Sequence, residues 1–324
     1  MSEMTKQKVL VARKTFADIS ARLAEHFEVE INEADTVWPQ DELIRRLQGK
    51  AGVYITGSEK IDAKLLDACP DLKAVCTMAV GYNNIDVSAC TARGVRVSNA
   101  PDVLTETTAD FGFALMMATA RRITESEHFL RRGEWQNWSV DLFAGSDIHG
   151  ATLGILGMGR IGQAIAKRGA LGFGMPVLYH NRSRLAPELE APLKAQWVDK
   201  DELLKRADHL VLVLPYSPAA HHSIGERELA LMKPTATLTN IARGGIVDDA
   251  ALIEALARKQ IAAAGLDVFE GEPKFNPAFL GLSNVVLTPH IASSSIPTRR
   301  AMSNLAVDNL IAALTGGAML TPLN

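Results

Sequence analysis

Thr152-Leu153-Gly154-Ile155-Leu156-Gly157-Met158-Gly159-Arg160-Ile161-Gly162 is the stretch that decides the fold. An apolar run comes first. Three glycines follow at Gly157, Gly159 and Gly162, and Gln163 to Ala170 continues with helix-compatible residues. Strand, tight turn, helix is the order that a phosphate-binding βα turn requires. The first glycine permits the turn, the second lets backbone approach a pyrophosphate, and the third lets helix and strand pack closely. The N–H groups at the new helix terminus have no partner within the helix and can meet phosphate. The stretch predicts a dinucleotide site that includes Gly157, Gly159, Arg160, Ile161 and Gly162.

The alternation of strand and helix runs outward from there. Strands are predicted at 152–156, 176–180, 209–214, 235–240, 262–266 and 285–288, with helices at 160–170, 200–206, 225–232 and 248–258. Near-continuous apolar strands joined by helical crossovers make a doubly wound parallel sheet. Upstream, Lys8–Ala12, Val53–Thr56, Leu72–Met78 and Arg96–Ser98 read as strands. Helical patterns run through Ile19, Leu23 and Phe27 and over 63–68, giving a smaller α/β domain. Thr105 to Glu127 reads as one long helix and 133–150 as a loop. A last helix, Thr298 to Leu314, is expected to pack back on the first domain. The expected division is 1–99 plus 293–324 for one domain and 100–292 for the other.

Bulk properties narrow the function. With 324 residues, 47% of them hydrophobic and 22% charged, the chain is long enough for two globular domains. A net charge of -3 gives no general attraction to nucleic acid or acidic lipid. Cys69, Cys76 and Cys90 are odd in number and lack a CxxC pair, which fits a reducing compartment. Met1 to Lys8 is polar, without the apolar core of a signal peptide. The apolar run near Phe111 to Ala120 stops at Arg121-Arg122, too short for a membrane span. A cytoplasmic protein is expected, with neither a nucleic acid nor a membrane partner.

The second strand of a dinucleotide unit usually ends in an acidic residue that holds the adenosine ribose. Here Met175-Pro176-Val177-Leu178-Tyr179-His180 runs into Asn181-Arg182-Ser183-Arg184. Asn181 stands near the acidic position without a charge, and two arginines flank the hydroxyl of Ser183. A 2′-phosphate needs cationic, fork-shaped donors and is repelled by carboxylate. The stretch predicts NADPH in preference to NADH, with NADH still usable.

Three later segments carry the candidate chemistry. Asn240-Ile241-Ala242-Arg243-Gly244-Gly245 follows a strand, at the edge where α/β sheets bind ligands, and Arg243 there can clamp a carboxylate through two nitrogens. Asp267-Val268-Phe269-Glu270-Gly271-Glu272-Pro273 follows the next strand, and Thr288-Pro289-His290 closes the last. A histidine paired with a carboxylate is an acid–base candidate. Spacing leaves the partner open among Asp267, Glu270 and Glu272. His221-His222 is an adjacent pair. Neighbours in an extended or helical segment point apart and no acid stands at ligand spacing, so no metal is expected. Ser58, Ser139 and Ser293 lack a nucleophile elbow and Cys90 lacks a base in sequence, which argues against hydrolase chemistry.

Over nearly its full length the chain resembles the D-isomer-specific 2-hydroxyacid dehydrogenases, in particular the glyoxylate/hydroxypyruvate and 2-ketogluconate reductases. The matching stretches are VGYNNID (80–86), NAPDVLTETTAD (99–110), HGATLGILGMGRIGQAIAKR (149–168), NIARGGIVDDAALIEAL (240–256), AGLDVFEGEP (264–273) and TPHIASSS (288–295). The resemblance implies two Rossmann-like domains, the first flavodoxin-like, with the active site in the cleft between them and hinges near 99–101 and 291–294. It implies His290 as the catalytic histidine, Glu272 as its carboxylate and Arg243 as the substrate-binding arginine. It implies substrate contacts from Thr56, Val80 and Gly81. Cofactor contacts are implied for Thr108, Leu214, Pro215, Ile241, Ala242, Asp267 and His290, with Asp267 at the nicotinamide carboxamide. It also implies a homodimer made through about 100–150, in which Trp138 reaches the neighbouring active site. Asn83 and Ala292 depart from the usual Asp and Gly of the family without removing a named group. The implied reaction is metal-free reduction of a small 2-oxo acid to a D-2-hydroxy acid. Relatives acting on D-lactate, phosphoglycerate or phosphite are the nearest alternatives, and a dinucleotide-sensing corepressor on the same fold is the alternative without catalysis.

Overall fold

The computed structural model describes residues 6–324. Of the polar N-terminal stretch 1–8, positions 1–5 lie outside the described residues. The chain falls into two units, one running up to Leu104 and taking back Ser294–Asn324, the other spanning Thr105–Ser293.

The first unit is a five-stranded parallel sheet of β1 (Lys8–Val11), β2 (Glu28–Ile31), β3 (Gly52–Ile55), β4 (Ala74–Thr77) and β5 (Arg96–Ser98), ordered β2-β1-β3-β4-β5. Helices α1 (Ala17–His26), α2 (Gln40–Leu47), α3 (Ala63–Ala68) and α4 (Val87–Ala92) make the crossovers. Asp62 and Asp86 start the last two, their carboxylates accepting from the N–H of Leu65 and Ala89 at 3.1 and 2.8 Å. The C-terminal helix, Ile296–Leu314, packs on this sheet. A methyl on Gly52 would stand 2.7 Å from the Leu310 Cδ1 and would push the leucine ends of this helix off the strand. Arg22 of α1 holds the same helix through Asn304, at 2.7 Å, and Asp308. Sequence reading missed β2, α2 and α4. β2 reads Glu-Val-Glu-Ile at the sheet edge, and Glu30 is engaged by Arg46 and Lys50. α2 is half charged and buries only Leu43 and Leu47.

In the second unit two helices lead, α5 (Thr105–Ala120) and α6 (Ile123–Arg131). A seven-stranded parallel sheet follows, built from β6 (Leu153–Leu156), α7 (Arg160–Lys167), β7 (Val177–His180), α8 (Pro187–Glu190), β8 (Ala195–Trp197), α9 (Lys200–Arg206), β9 (His209–Leu212), α10 (Glu226–Leu231), β10 (Thr237–Asn240), α11 (Asp249–Ala257), β11 (Ala263–Leu266) and β12 (Val285–Leu287). The order is β12-β11-β10-β9-β6-β7-β8, so the direction of winding reverses between β6 and β9. Ligands of such sheets bind outside the carboxyl ends of the strands at that reversal. One face of the sheet packs Leu203, Leu210, Leu252 and Phe279; the other packs Phe113, Ile155, Ile165 and Val211. Each such side chain contributes about 1.5–3 kcal/mol on burial.

The single helix expected from Thr105 to Glu127 is two helices. Arg122 breaks it in a left-handed conformation (φ 53°). The returning loop is the cause: Ser146 N–H donates to Ala120 O at 2.9 Å, and Gly145 lies so close that a methyl on it would stand 2.2 Å from that oxygen. Residues 133–150 form no helix or strand. Cys69, Cys76 and Cys90 are free thiols and buried. Among the described residues, no helix is long and apolar enough to cross a membrane.

Candidate active site

The glycine turn after β6 is shaped by its neighbours. Gly157 adopts φ +103°, and a methyl there would stand 2.6 Å from Leu214 N. A methyl on Gly162 would stand 2.3 Å from Gly157 O, which locks helix against turn. Gly159 is different: nothing lies within 4 Å of the place its side chain would occupy. Two glycines are thus demanded by packing and the third leaves bare backbone facing open space at the start of α7. Asn181 Oδ1 accepts from Met158 N–H at 2.6 Å and fixes the turn from the next strand. Arg160 is exposed and Ile161 half-buried on the first turn of α7. Thr108 Oγ1 on α5 is buried without a hydrogen-bond partner among the described residues. Bare backbone, free helix N–H groups and an orphaned hydroxyl fit a dinucleotide. Leu214 and Pro215 follow β9, and the buried Ile241 and Ala242 follow β10.

The structure separates the two arginines after β7. Arg182 and Ser183 are exposed, and Arg182 makes no ion pair among the described residues. Arg184 is forked onto Glu190, with Nε and Nη2 at 2.9 and 2.7 Å from its two oxygens. Glu190 is buried and also accepts from the Tyr179 hydroxyl at 2.6 Å, while that hydroxyl accepts from Leu185 N–H at 2.8 Å. Burial, aided by Glu190, pushes the Tyr179 hydroxyl up to about 12, so it stays a neutral donor. Neither Tyr179 nor Glu190 was singled out in the sequence. They are joined by a loop closure that no periodic pattern records.

The groups with acid–base and anion-binding chemistry stand at the ends of β10, β11 and β12. Arg243 leaves β10 two residues after the buried Ile241, and its Nη1 donates to Ala242 O at 2.6 Å. Burial lowers the Arg243 pKa while the charge of Glu272 acts against that shift. Gly244 abuts Phe269, where a methyl would stand 1.8 Å from the carbonyl oxygen, so the Arg243 segment and the Glu272 loop lie side by side. His290 Nδ1 lies 2.8 Å from Glu272 Oε2, and Phe269 N–H donates to Glu272 Oε1 at 2.7 Å. Burial acts to raise the Glu272 pKa, but His290, that N–H and Arg243 together hold the carboxyl below its usual range. With Nδ1 committed to Glu272, Nε2 is the ring nitrogen left for exchange of a proton.

Among the three acids that spacing left open, geometry assigns each a different partner. Glu272 meets His290. Asp267 is fully buried and accepts from Thr288 Oγ1 and the N–H groups of Ile291 and Ala292 at 2.7, 2.8 and 2.9 Å. Burial raises its pKa and those donors oppose the rise. Asp267 thereby fixes the turn that carries His290, which sits in a left-handed conformation (φ 54°). Glu270 Oε1 lies 2.6 Å from His222 Nε2. This corrects two expectations about His221-His222. The rings are stacked, with centroids 3.9 Å apart, because His222 is left-handed (φ 50°) and the pair belongs to neither strand nor helix. An acid does accompany them, supplied by the fold from a distant part of the chain.

In the first unit, Thr56 follows β3, its N–H and Oγ1 donating to Glu59 at 2.8 and 3.0 Å. Val80 and Gly81 follow β4; Val80 O accepts from Asn99 Nδ2 at 2.8 Å, and the two N–H groups donate to no acceptor among the described residues. Trp138 is 74% exposed and Trp135 55%, both in the irregular loop of the second unit.

Residues 113–292 match the family model described as D-isomer specific 2-hydroxyacid dehydrogenase, NAD binding domain. The chain is 46% identical to a glyoxylate reductase of Thermococcus gammatolerans over 98% of its own length and 96% of that protein. It is 47% identical, with the same coverage, to a glyoxylate reductase of Thermococcus onnurineus. Among solved structures, the TT0316 protein from Thermus thermophilus superposes with a TM-score of 0.91 at 41% identity, covering 98% and 100% of the two chains. An NADPH-dependent glyoxylate/hydroxypyruvate reductase from Sinorhizobium meliloti, in complex with NADP and malonate, gives 0.85 at 35% identity, covering 98% and 97%. The chain belongs to the D-isomer specific 2-hydroxyacid dehydrogenase family. It is an oxidoreductase acting on small 2-oxo acids with a nicotinamide dinucleotide.

Proposed function

We propose that the protein is an NADPH-preferring reductase of glyoxylate and hydroxypyruvate, with 2-ketogluconate as a longer substrate, yielding D-2-hydroxy acids. The observation that carries the reading is the His290–Glu272 contact at 2.8 Å beside the Arg243 segment. When bound, the reduced nicotinamide supplies hydride to the substrate's C2. His290 gives the proton from Nε2 to the carbonyl oxygen as charge develops there, and Glu272 keeps the ring oriented through Nδ1. Arg243 binds the substrate anion and stabilises the developing oxyanion. Thr56 and the unengaged N–H groups of Val80 and Gly81 are the proposed anchors for the substrate carboxylate. Asp267 serves the nicotinamide carboxamide in this reading, besides fixing the His290 turn. Neither imidazolium nor guanidinium chemistry requires a metal at this step.

The cofactor contacts are proposed for Thr108, the Gly157–Gly162 turn, Asn181, Arg182, Ser183, Arg184, Leu214, Pro215, Ile241 and Ala242. The absence of an acid at Asn181 and the free guanidinium of Arg182 support NADPH. The exposed Trp135 and Trp138 support a homodimer built through the 133–150 loop, which size-exclusion chromatography with light scattering tests. The deciding experiment for function is a steady-state panel of the three acids with each cofactor. NADPH-linked reduction of glyoxylate or hydroxypyruvate at kcat/KM at least tenfold above the NADH-linked rate is expected. Equal or reversed cofactor efficiency, or turnover of none of the three, overturns the reading.

A further inference from the structure

Away from the His290–Glu272 pair, a second cluster stands on the surface of the Thr105–Ser293 unit. His221, His222 and Glu270 each offer a ligand atom, and the three atoms all lie within 4.8 Å of one another. His222 Nδ1 lies 3.7 Å from Asp248 Oδ2, on the side of the ring opposite Glu270. His221 Nδ1 lies 3.3 Å from the Tyr216 hydroxyl.

Two features set this cluster apart from an ordinary surface ion pair. His222 is held in the left-handed region (φ 50°), with its N–H donating to Gly245 O at 2.8 Å. Such a conformation is strained in a non-glycine residue and is sustained by its surroundings. Gly245 is also left-handed (φ 79°), and a methyl on it would stand 3.2 Å from His221 Nδ1 and 3.6 Å from Glu270 Oε1. A bare glycine therefore leaves room between two of the three ligands.

We propose that His221, His222 and Glu270 form a binding site for a divalent first-row transition ion of the zinc type. Two imidazoles and one carboxylate are a borderline donor set that suits zinc, cobalt and nickel, and three protein ligands leave a coordination position for water. Coordination through His222 Nε2 leaves the ring proton on Nδ1, facing Asp248, the orientation that a carboxylate partner enforces on metal-bound histidine. An ion lies in the plane of each imidazole it binds, so the stacked pair is the ion-free arrangement. The exposed His221 ring turns to bind, and Glu270 exchanges its hydrogen bond for the ion. The site is independent of the cofactor reading, because none of its ligands belongs to the proposed substrate or dinucleotide contacts.

The test is a zinc titration of chelator-treated protein by isothermal calorimetry. One ion per chain at micromolar affinity is expected. His221→Ala and Glu270→Gln are each expected to weaken it at least tenfold, while His290→Gln, which removes a histidine–glutamate contact outside the cluster, leaves it within twofold. The visible spectrum of the cobalt-loaded protein gives a second readout, expected to change in the first two variants and not in the third. Absence of saturable binding, wild-type affinity in both cluster variants, or loss of the site in His290→Gln overturns the proposal.

Discussion

Replacing Glu272 by Gln alters one atom and one charge at the contact with His290. The carboxylate has one oxygen on Phe269 N–H at 2.7 Å and the other at 2.8 Å from His290 Nδ1. A glutamine cannot serve both as the carboxylate does. If its carbonyl keeps Phe269 N–H, its NH2 faces Nδ1. That nitrogen must then accept, and the ring is held neutral with its only proton on Nε2, a poor acid. If the amide turns over, the Phe269 N–H faces a donor and loses its partner, at about 1–3 kcal/mol. The lost charge adds to this. Opposite charges at 2.8 Å attract by about 1.5 kcal/mol in water and about 6 kcal/mol at an effective dielectric of 20. His290 and Glu272 side chains are 48% and 31% exposed, so solvent screens the pair toward the lower end, about 2–4 kcal/mol. Converted to rate, this is roughly a 30- to 1000-fold fall in kcat. The assay is steady-state reduction of glyoxylate at pH 7, with dinucleotide affinity followed by fluorescence. Affinity within twofold of wild type is expected, because Glu272 is not among the proposed cofactor contacts. The double variant Glu272→Gln/His290→Gln should be no worse than His290→Gln alone, as groups acting as one unit are not additive. A kcat within threefold of wild type, or full additivity in the double variant, refutes the reasoning.

Arg243→Ala should reduce kcat and raise the substrate KM together, since in the proposed reaction one guanidinium serves both binding and the developing charge; unchanged values for both rule out the clamp. Arg182→Ala should raise the KM for NADPH at least tenfold with little effect on NADH. Arg184→Ala should instead lower thermal stability and weaken both cofactors alike, because it strips Glu190 of its fork; an identical NADPH-specific loss in both variants refutes this division of roles. Asp62, which caps α3, is held down to about 2 by Gln40, the Leu65 N–H and Lys60 against burial. Its depressed pKa means its stabilisation is complete above the ordinary value of 3.8 and is lost as pH falls toward 2. Asp62→Ala should therefore cost about 1–2 kcal/mol in urea unfolding at pH 7, with a gap that narrows below pH 4; a constant gap across that range refutes the assignment.

Much of this architecture was legible because parallel strands buried on both faces are written as short apolar runs. β6, β9 and β11 could be located by composition alone, and the turn after β6 by its glycines. The edge strand β2 was not legible, since alternating glutamates balanced by Arg46 and Lys50 imitate a polar loop. The break at Arg122 was hidden for another reason. The residues before it are good helix formers, and what stops the helix is Ser146 and Gly145 arriving on Ala120 from more than twenty residues away. The stacking of His221 on His222 escaped a rule about regular segments because His222 obeys neither strand nor helix geometry.

The candidate site shows where sequence stops and geometry takes over. The sequence places Thr56, Val80, Gly157, Asn181, Leu214, Ile241, Asp267 and His290 just beyond strands, because winding brings every carboxyl end to one edge of its sheet. It cannot pair them. Asp267, Glu270 and Glu272 stand within six residues, yet the first is buried under two backbone N–H groups and a threonine, the second meets His222, and the third meets His290. Any of them could serve a histidine by chemistry alone. What separates them is the course of the chain after β11. Asp267 is still inside the sheet edge and faces the β12 turn. Gly271, in its left-handed turn (φ 72°), then reverses the chain, so that Glu270 and Glu272 serve different histidines. Moving one carboxylate past this turn would exchange the proposed acid–base pair for the proposed metal ligand. The spacing around Gly271 is therefore as much a part of the site as the charges it separates, and Gly271→Ala, strained at that φ, should disturb the His290 contact and the zinc affinity together.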